Sequence, residues 1–251
     1  MALAPVALVA MSLVPAAPAT AQSAEQHDTA RPPALLCPDE PETADLEDRD
    51  DISAAHIDAI DCLVQLGVAE GLGSDVGTHY LPDGEVRRDQ MASFVIRTLE
   101  AAGAGLPAGE DGRFDDVPPD NVHRDAIEQL AEIGVVQGVT EDTYDPDAPV
   151  SRDQMASFLL RATAWYQDTE VEELTGGATN FDDIGSSAHA EAIAGIYHLG
   201  ITYGTKADVS GARYEPAAMV TREQMASFLV ASSRAMLTDP ATCTDPVHGY
   251  H

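Results

Sequence analysis

The chain has 251 residues, 44% of them hydrophobic, with 43 acidic against 13 basic residues and a formal net charge of -30. So dense a negative field repels phosphates and argues against nucleic acid as a partner. It does not argue for disorder, because the hydrophobic residues fall in periodic segments.

The first 22 residues read MALAPVALVAMSLVPAAPATAQ. An apolar run ending in Ala19-Thr20-Ala21, the small-x-small pattern of a cleavage site, reads as a signal peptide over 1–21 and predicts a secreted chain. The run is broken by Pro5, Pro15 and Pro18, and a membrane span needs ~20 apolar residues, so no transmembrane segment is expected in the mature chain. Residues 22–47 are acidic and Pro-rich and read as a linker.

Three cysteines, Cys37, Cys62 and Cys243, allow three pairings in an exported chain and leave one thiol over. Cys37 with Cys62 is the favoured disulfide, because Cys62 lies off the apolar stripe of its predicted helix, where the N-terminal segment reaches it. That bridge closes a loop of roughly 25 residues and contributes about 3 kcal/mol in the chain-entropy model. Three free thiols are the alternative.

The body of the chain repeats itself, and internal repeats decide a fold before any local signal does. Residues 88–94 read RDQMASF, residues 152–158 read RDQMASF, and residues 222–228 read REQMASF. Upstream of each copy lies a second shared pattern, which starts at His56, His123 and His189 and ends at Gly71, Gly138 and Gly204. Between the two stands an aromatic with a nearby proline: Tyr80-Leu-Pro82, Tyr144-Asp-Pro146 and Tyr214-Glu-Pro216.

The upstream pattern places apolar residues at i+3, i+4, i+7 and i+10 from the histidine, which is one stripe of an amphipathic helix. Gly67, Gly134 and Gly200 suit the left-handed position just past its end. The downstream copy is a second helix, with Met155, Phe158, Leu159 and Ala162 as its buried face. Ser151 with Gln154 and Thr221 with Gln224 fit a capping box, whereas the first copy has Arg87 at the cap and predicts the weakest helix start of the three. One helical hairpin of this size does not bury its own apolar faces, so the three are expected to pack around one core.

These residues resemble a triplet of S-layer homology (SLH) domains. The resemblance rests on Phe114-Asp-Asp-Val117, His123-x-x-Ala-Ile-x-x-Leu130, Ile133-Gly-Val-Val-Gln-Gly138, Tyr144-Asp-Pro146 and Val150-Ser-Arg-Asp-Gln154. Phe181-Asp-Asp-Ile184 opens the third unit in the same way, and the first opening, around Leu46 to Asp51, is degraded. The units are expected at 48–103, 104–168 and 169–237, followed by a tail at 238–251.

The resemblance implies an all-α fold of three helix-loop-helix repeats in a pseudo-threefold bundle. It also implies a non-catalytic module that binds a cell-wall polysaccharide, often pyruvylated, in grooves between repeats. Carried onto this sequence, the ligand-binding residues are Arg88, Arg152 and Arg222, where a planar cationic fork at a helix start addresses a carboxylate. Gly71, Gly138 and Gly204 would let the backbone approach a sugar. The same arginines read equally as bridges to acidic neighbours that lock one unit to the next. The family's groove tryptophan is replaced by Ala55, Val122 and Ala188, and its signature glutamate by Gln90, Gln154 and Gln224. A structural or protein-contact module of the cell surface, with a surface-protein partner, is the alternative. The three histidines share a helix face and offer imidazole ligands, but a half-buried helix-start histidine is the simpler reading, and neither a metal nor a cofactor is expected. The chain has no Gly-x-Ser-x-Gly, no His-Glu-x-x-His and no phosphate-binding glycine loop, which argues against an enzyme.

Overall fold

The structure is a computed structural model, and it describes residues 36–74, 77–208 and 211–238. The expected signal peptide, Cys243 and the tail beyond residue 238 lie outside the described residues. A 3-10 turn at Arg49–Asp51 leads into α1 (Ile57–Gln65), the strands β1 (Leu72–Ser74) and β2 (Gly77–His79), and α2 (Arg88–Ala101). Then come α3 (Arg124–Glu132), α4 (Arg152–Tyr166), the single turn α5 (Val171–Leu174) and α6 (Ala190–His198). Strands β3 (Lys206–Asp208) and β4 (Gly211–Arg213) precede α7 (Arg222–Leu237).

The protein is mostly helical, as expected of the repeated patterns, and the two antiparallel hairpins are an addition to the all-α reading. Their cause is loop length. The chain from Gly71 to Tyr80 and from Gly204 to Tyr214 is long enough to pair with itself, with Leu72 opposite His79 and Lys206 opposite Arg213. The shorter path from Gly138 to Tyr144 closes instead with Val139 N donating to Thr143 O at 2.8 Å.

Each short helix buries its stripe: Ile60 and Leu63 in α1, Ile127 and Leu130 in α3, Ile193 and Ile196 in α6. It stops where Gly67, Gly134 or Gly200 takes φ of +68°, +74° or +69°, a left-handed value that a side chain would strain. The long helices bury Met91, Phe94 and Val95, then Met155, Phe158 and Leu159, then Met225, Phe228 and Leu229. Each such side chain contributes about 1.5–3 kcal/mol of burial.

The pairing of helices is what positions the site. α3 packs on α2, α6 on α4 and α1 on α7, so each short helix lies on a long helix other than the one that follows it, while α2, α4 and α7 pack on one another. Beside the long-helix starts, three fully buried valines close a ring of backbone bonds. Val150 N donates to Val86 O at 2.9 Å, Val220 N to Val150 O at 2.9 Å, and Val86 N to Val220 O at 3.0 Å. Cys37 and Cys62 form a disulfide, with Cα atoms 5.6 Å apart, that ties the N-terminal strap to α1. No helix among the described residues is long and apolar enough to cross a membrane.

Candidate functional site

The residue before each repeated arginine is extended, and the helix begins at the arginine itself. All three glutamines reach back: Gln90, Gln154 and Gln224 accept from the cap residue's N–H at 3.2, 3.3 and 3.5 Å. The hydroxyl half of the capping box is present only at Thr221, which accepts from Gln224 N at 3.4 Å. In α2 and α4 that donor goes to the Asp89 or Asp153 carboxylate instead, at 2.7 and 2.8 Å. Carboxylates at N2 also suit the positive end of the helix. Arg87 then grips Asp89 with both arms of its fork, at 3.1 and 3.0 Å, so the first start is stabilised by an ion pair where a hydroxyl was lost.

Arg88, Arg152 and Arg222 are each 5% exposed. Their Nε atoms donate to the carbonyls of Tyr144, Tyr214 and Tyr80 at 2.8, 2.7 and 2.6 Å. The same tyrosines donate their hydroxyls back to the arginine carbonyls at 2.9, 2.7 and 3.0 Å. Each guanidinium also lies 4.7–4.8 Å from the tyrosine ring and faces Phe158, Phe228 or Phe94, a desolvated cation–π geometry. Every arginine thus locks onto a tyrosine that lies ahead of another long helix, and not onto the acidic neighbour the sequence also suggested. Burial pulls the Arg152 and Arg222 guanidinium groups below their ordinary value and pushes all three tyrosine hydroxyls up. At Arg222 one nitrogen, Nη2, is sealed from solvent without a hydrogen-bond partner.

A second set of bonds holds each tyrosine loop. Asp48 accepts from Tyr80 N and Leu81 N at 2.8 and 2.7 Å, Asp116 from Tyr144 N and Asp145 N at 2.7 Å, and Asp183 from Tyr214 N and Glu215 N at 2.9 Å. Aiming two successive N–H groups at one carboxylate puts Leu81, Asp145 and Glu215 at φ of +58°, +61° and +60°. That strain costs of order 1 kcal/mol or more each. Burial raises the Asp48 and Asp183 carboxyls, but these N–H donors more than offset it, and both sit below their ordinary value. The second aspartate of Phe114-Asp-Asp116 and of Phe181-Asp-Asp183 thus has a role that its local pattern does not reveal. Leu46-Glu-Asp48 is the same element in the first unit, with Leu46 buried as Phe114 and Phe181 are.

The histidines do not converge. His56, His123 and His189 each meet one serine across a junction, Ser227, Ser93 and Ser157, with Nδ1 to Oγ distances of 2.7, 2.8 and 2.8 Å. Burial pulls His56 and His123 down; Glu223 opposes this at His56 and Asp89 at His123. Beside each pair, the first-turn acid holds the turn that enters the neighbouring short helix: Glu223 takes Ser53 N at 2.9 Å, Asp89 takes Asn121 at 3.4 Å and Asp153 takes Ser187 at 2.7 Å.

The glycines at the hairpin bases are crowded by the chain itself. A Cβ at Gly138 would lie 2.5 Å from Thr140 O and 2.8 Å from the Phe114 ring, and one at Gly204 would lie 2.4 Å from Arg213 O and 2.6 Å from the Phe181 ring. A Cβ at Gly71 would run into the side chain of Thr78 and lie 3.1 Å from His79 O. The positions of the missing tryptophan, Ala55, Val122 and Ala188, are all exposed, Val122 at 88%.

Three junctions therefore carry one set of bonds, each joining the start of a long helix to a tyrosine loop and a short helix of another unit. An S-layer protein of Bacillus thuringiensis subsp. finitimus is 30% identical over 196 residues, which cover 76% of this chain and 22% of that protein. S-layer protein sap of Bacillus anthracis is 29% identical over 196 residues, with the same two shares. Exoglucanase XynX of Acetivibrio thermocellus is 25% identical over 174 residues, 68% of this chain and 15% of the exoglucanase. The chain spans 22% or less of the length of these relatives. The S-layer homology domain model matches residues 113–156 and 180–226, the stretches that contain Arg152 and Arg222 with their upstream helices, so the chain carries the S-layer homology domain there.

Proposed function

We propose that this chain is a secreted, non-catalytic cell-surface anchoring module. Three S-layer homology units, 48–103, 104–168 and 169–237, close head to tail about a pseudo-threefold axis and hold a cell-wall polysaccharide in the junctions between them. The observation that carries the reading is the recurrence of the arginine–tyrosine lock at all three junctions, with the third bond joining Arg222 back to Tyr80. The relatives, S-layer proteins among them, support a place at the cell surface.

In this reading Arg88, Arg152 and Arg222 form the floor of each groove and fix the tyrosine loop that walls it. Gly71, Gly138 and Gly204 keep the adjoining loop close enough to shape that wall. The ligand is a polysaccharide bearing carboxylates, such as a pyruvate ketal, drawn by the positive field of these buried arginines beneath each junction. Co-sedimentation of the full chain with pyruvylated cell-wall polysaccharide at low salt tests it. Binding that weakens as salt rises is expected, and failure to co-sediment overturns the reading.

A second reading, a protein-contact module, is favoured by the exposed apolar Val122 where the family stacks a sugar. It expects no glycan binding and a loss of surface retention on Val122→Asp.

A further inference from the structure

In a chain with 43 acidic and 13 basic residues, carboxylates are the abundant partner for a cation. Among the described residues Arg49, Arg87, Arg124 and Arg213 do so, each within 4.0 Å of an aspartate. Arg88, Arg152 and Arg222 are taken up by their tyrosines and Arg113 lies against the Phe114 ring, whereas Arg97 and Arg161 have neither a carboxylate nor a ring among the described residues. They occupy matching places in α2 and α4, one turn beyond Ser93 and Ser157, the serines that meet the histidine of the next unit.

Both side chains are half-buried, and no carboxylate of the described residues pairs with either. Each makes one long hydrogen bond, Nη1 to Val68 O or to Val135 O at 3.4 Å, at the turn that follows a short helix. A guanidinium has five N–H donors in a fixed fork, so most of each fork is uncommitted. Burial without a compensating anion draws the Arg161 guanidinium below its ordinary value. Arg97 also acts electrostatically on His123, which puts it at the α2–α3 junction. A half-buried cation with most of its donors uncommitted suits an anion that comes from outside.

The junctions are not equal in this respect. In α7 the matching place holds Ala231, so the α7–α1 junction has no such cation there. At the α2–α3 junction Arg87 is paired with Asp89 and so offsets the negative charge there. Asp153 and Glu223 hold the same place at the other junctions and have no arginine across them among the described residues.

We infer that Arg97 and Arg161 receive the carboxylates of an anionic saccharide, that the α2–α3 junction is the stronger site and the α4–α6 junction the weaker, and that the α7–α1 junction takes none. The inference rests on the polysaccharide reading above and names its anion contacts and its order of occupancy.

Calorimetry of the full chain with pyruvylated cell-wall polysaccharide at low salt, and with the same polymer stripped of its ketals by mild acid, tests it. Arg97→Gln is expected to weaken binding of the pyruvylated polymer by about tenfold, the scale of one charged hydrogen bond. Arg161→Gln should weaken it less. The double variant should bind the pyruvylated and stripped polymers alike, and Ala231→Arg should add a site. Circular dichroism checks the fold of each variant, and the gain expected of Ala231→Arg does not depend on any loss. Wild-type binding left unchanged by the double variant, with no gain from Ala231→Arg, overturns this inference and leaves the polysaccharide reading standing. Absence of wild-type binding overturns both.

Discussion

The α2–α3 junction and the α7–α1 junction use the same bonds over very different lengths of chain. Arg88 and Tyr144 are 56 residues apart in sequence, whereas Arg222 and Tyr80 are 142 apart. Closing the longer path costs only about 0.8 kcal/mol more, since loop entropy grows with the logarithm of length. That small difference falls on the unit whose opening has drifted furthest, Leu46-Glu-Asp48 in place of Phe-Asp-Asp. The first unit carries two compensations. The Cys37–Cys62 disulfide ties its strap to α1, and Arg49 forks onto Asp61 at 2.6 and 2.7 Å with Asp61 almost fully buried. A closed ring is as strong as its last bond, and extra fasteners stand beside that bond.

The largest expected effect breaks the ring at that point. Arg222→Ala leaves the Tyr80 carbonyl without its donor and opens a cavity between two aromatic rings, which should cost about 3 kcal/mol or more in urea unfolding. Hydrogen exchange should then show α1 exposed before α3 or α6. Arg88→Ala removes the same contacts between sequence neighbours, so α1 should stay protected. Equal loss of α1 protection in both variants would show that the junctions are equivalent and that the closing one has no special weakness.

Removing the staple comes next. Cys37→Ser with Cys62→Ser frees a separation of 25 residues, which the chain-entropy model values at about 3 kcal/mol. Protection should fall in the strap and α1 and hold in α4 and α6. An unchanged melting temperature would mean that Arg49 and Asp61 alone suffice.

Much of this was readable in the residues. The three short helices, their glycine ends and the three long helices follow from apolar spacing and cap chemistry, because both act within a few residues of sequence. The favoured cysteine pair followed from Cys62 lying off its helix stripe. What local pattern could not reveal is which unit a side chain serves. Arg88 looks the same on a helical wheel whether it faces a groove or a tyrosine of the next unit, and only the packing of α3 on α2 puts Tyr144 beneath it. The left-handed Leu81, Asp145 and Glu215 were equally invisible, since their cause is a carboxylate roughly thirty residues upstream and not their own side chains.

A smaller effect dissects the lock. Tyr80→Phe, Tyr144→Phe and Tyr214→Phe each delete one hydroxyl bond to an arginine carbonyl and keep the ring under the guanidinium. Each should cost about 1 kcal/mol. If Tyr80→Phe costs clearly more than Tyr144→Phe, the closing junction depends on its hydrogen bonds more than the neighbour junction does; equal costs would assign the difference to the staples instead.

The smallest effect is a pH dependence, and it separates the junctions by the charges around their histidines. Burial holds His56 and His123 below the ordinary 6.5. The unfolded chain therefore binds more protons than the folded one between the folded value and 6.5. Stability is complete above that window, falls as pH drops through it, and falls no further on this account below it. The carboxylates of Asp48, Asp61 and Asp183 are held down from 3.8, so their loss comes at more acid pH and stays distinct. Around His56 the opposing charge is Glu223; around His123 Asp89 opposes, while Arg87 and Arg97 act with burial. Glu223→Gln should therefore steepen the acid loss, because it removes what favours a charged His56. Arg97→Gln should flatten it, because it removes what disfavours a charged His123. Melting temperatures at pH 7.5 and pH 5 measure both slopes, and opposite changes in the two variants are the signature expected. Slopes unchanged in both would mean that the histidine–serine pairs carry no acid-sensitive share of the junctions.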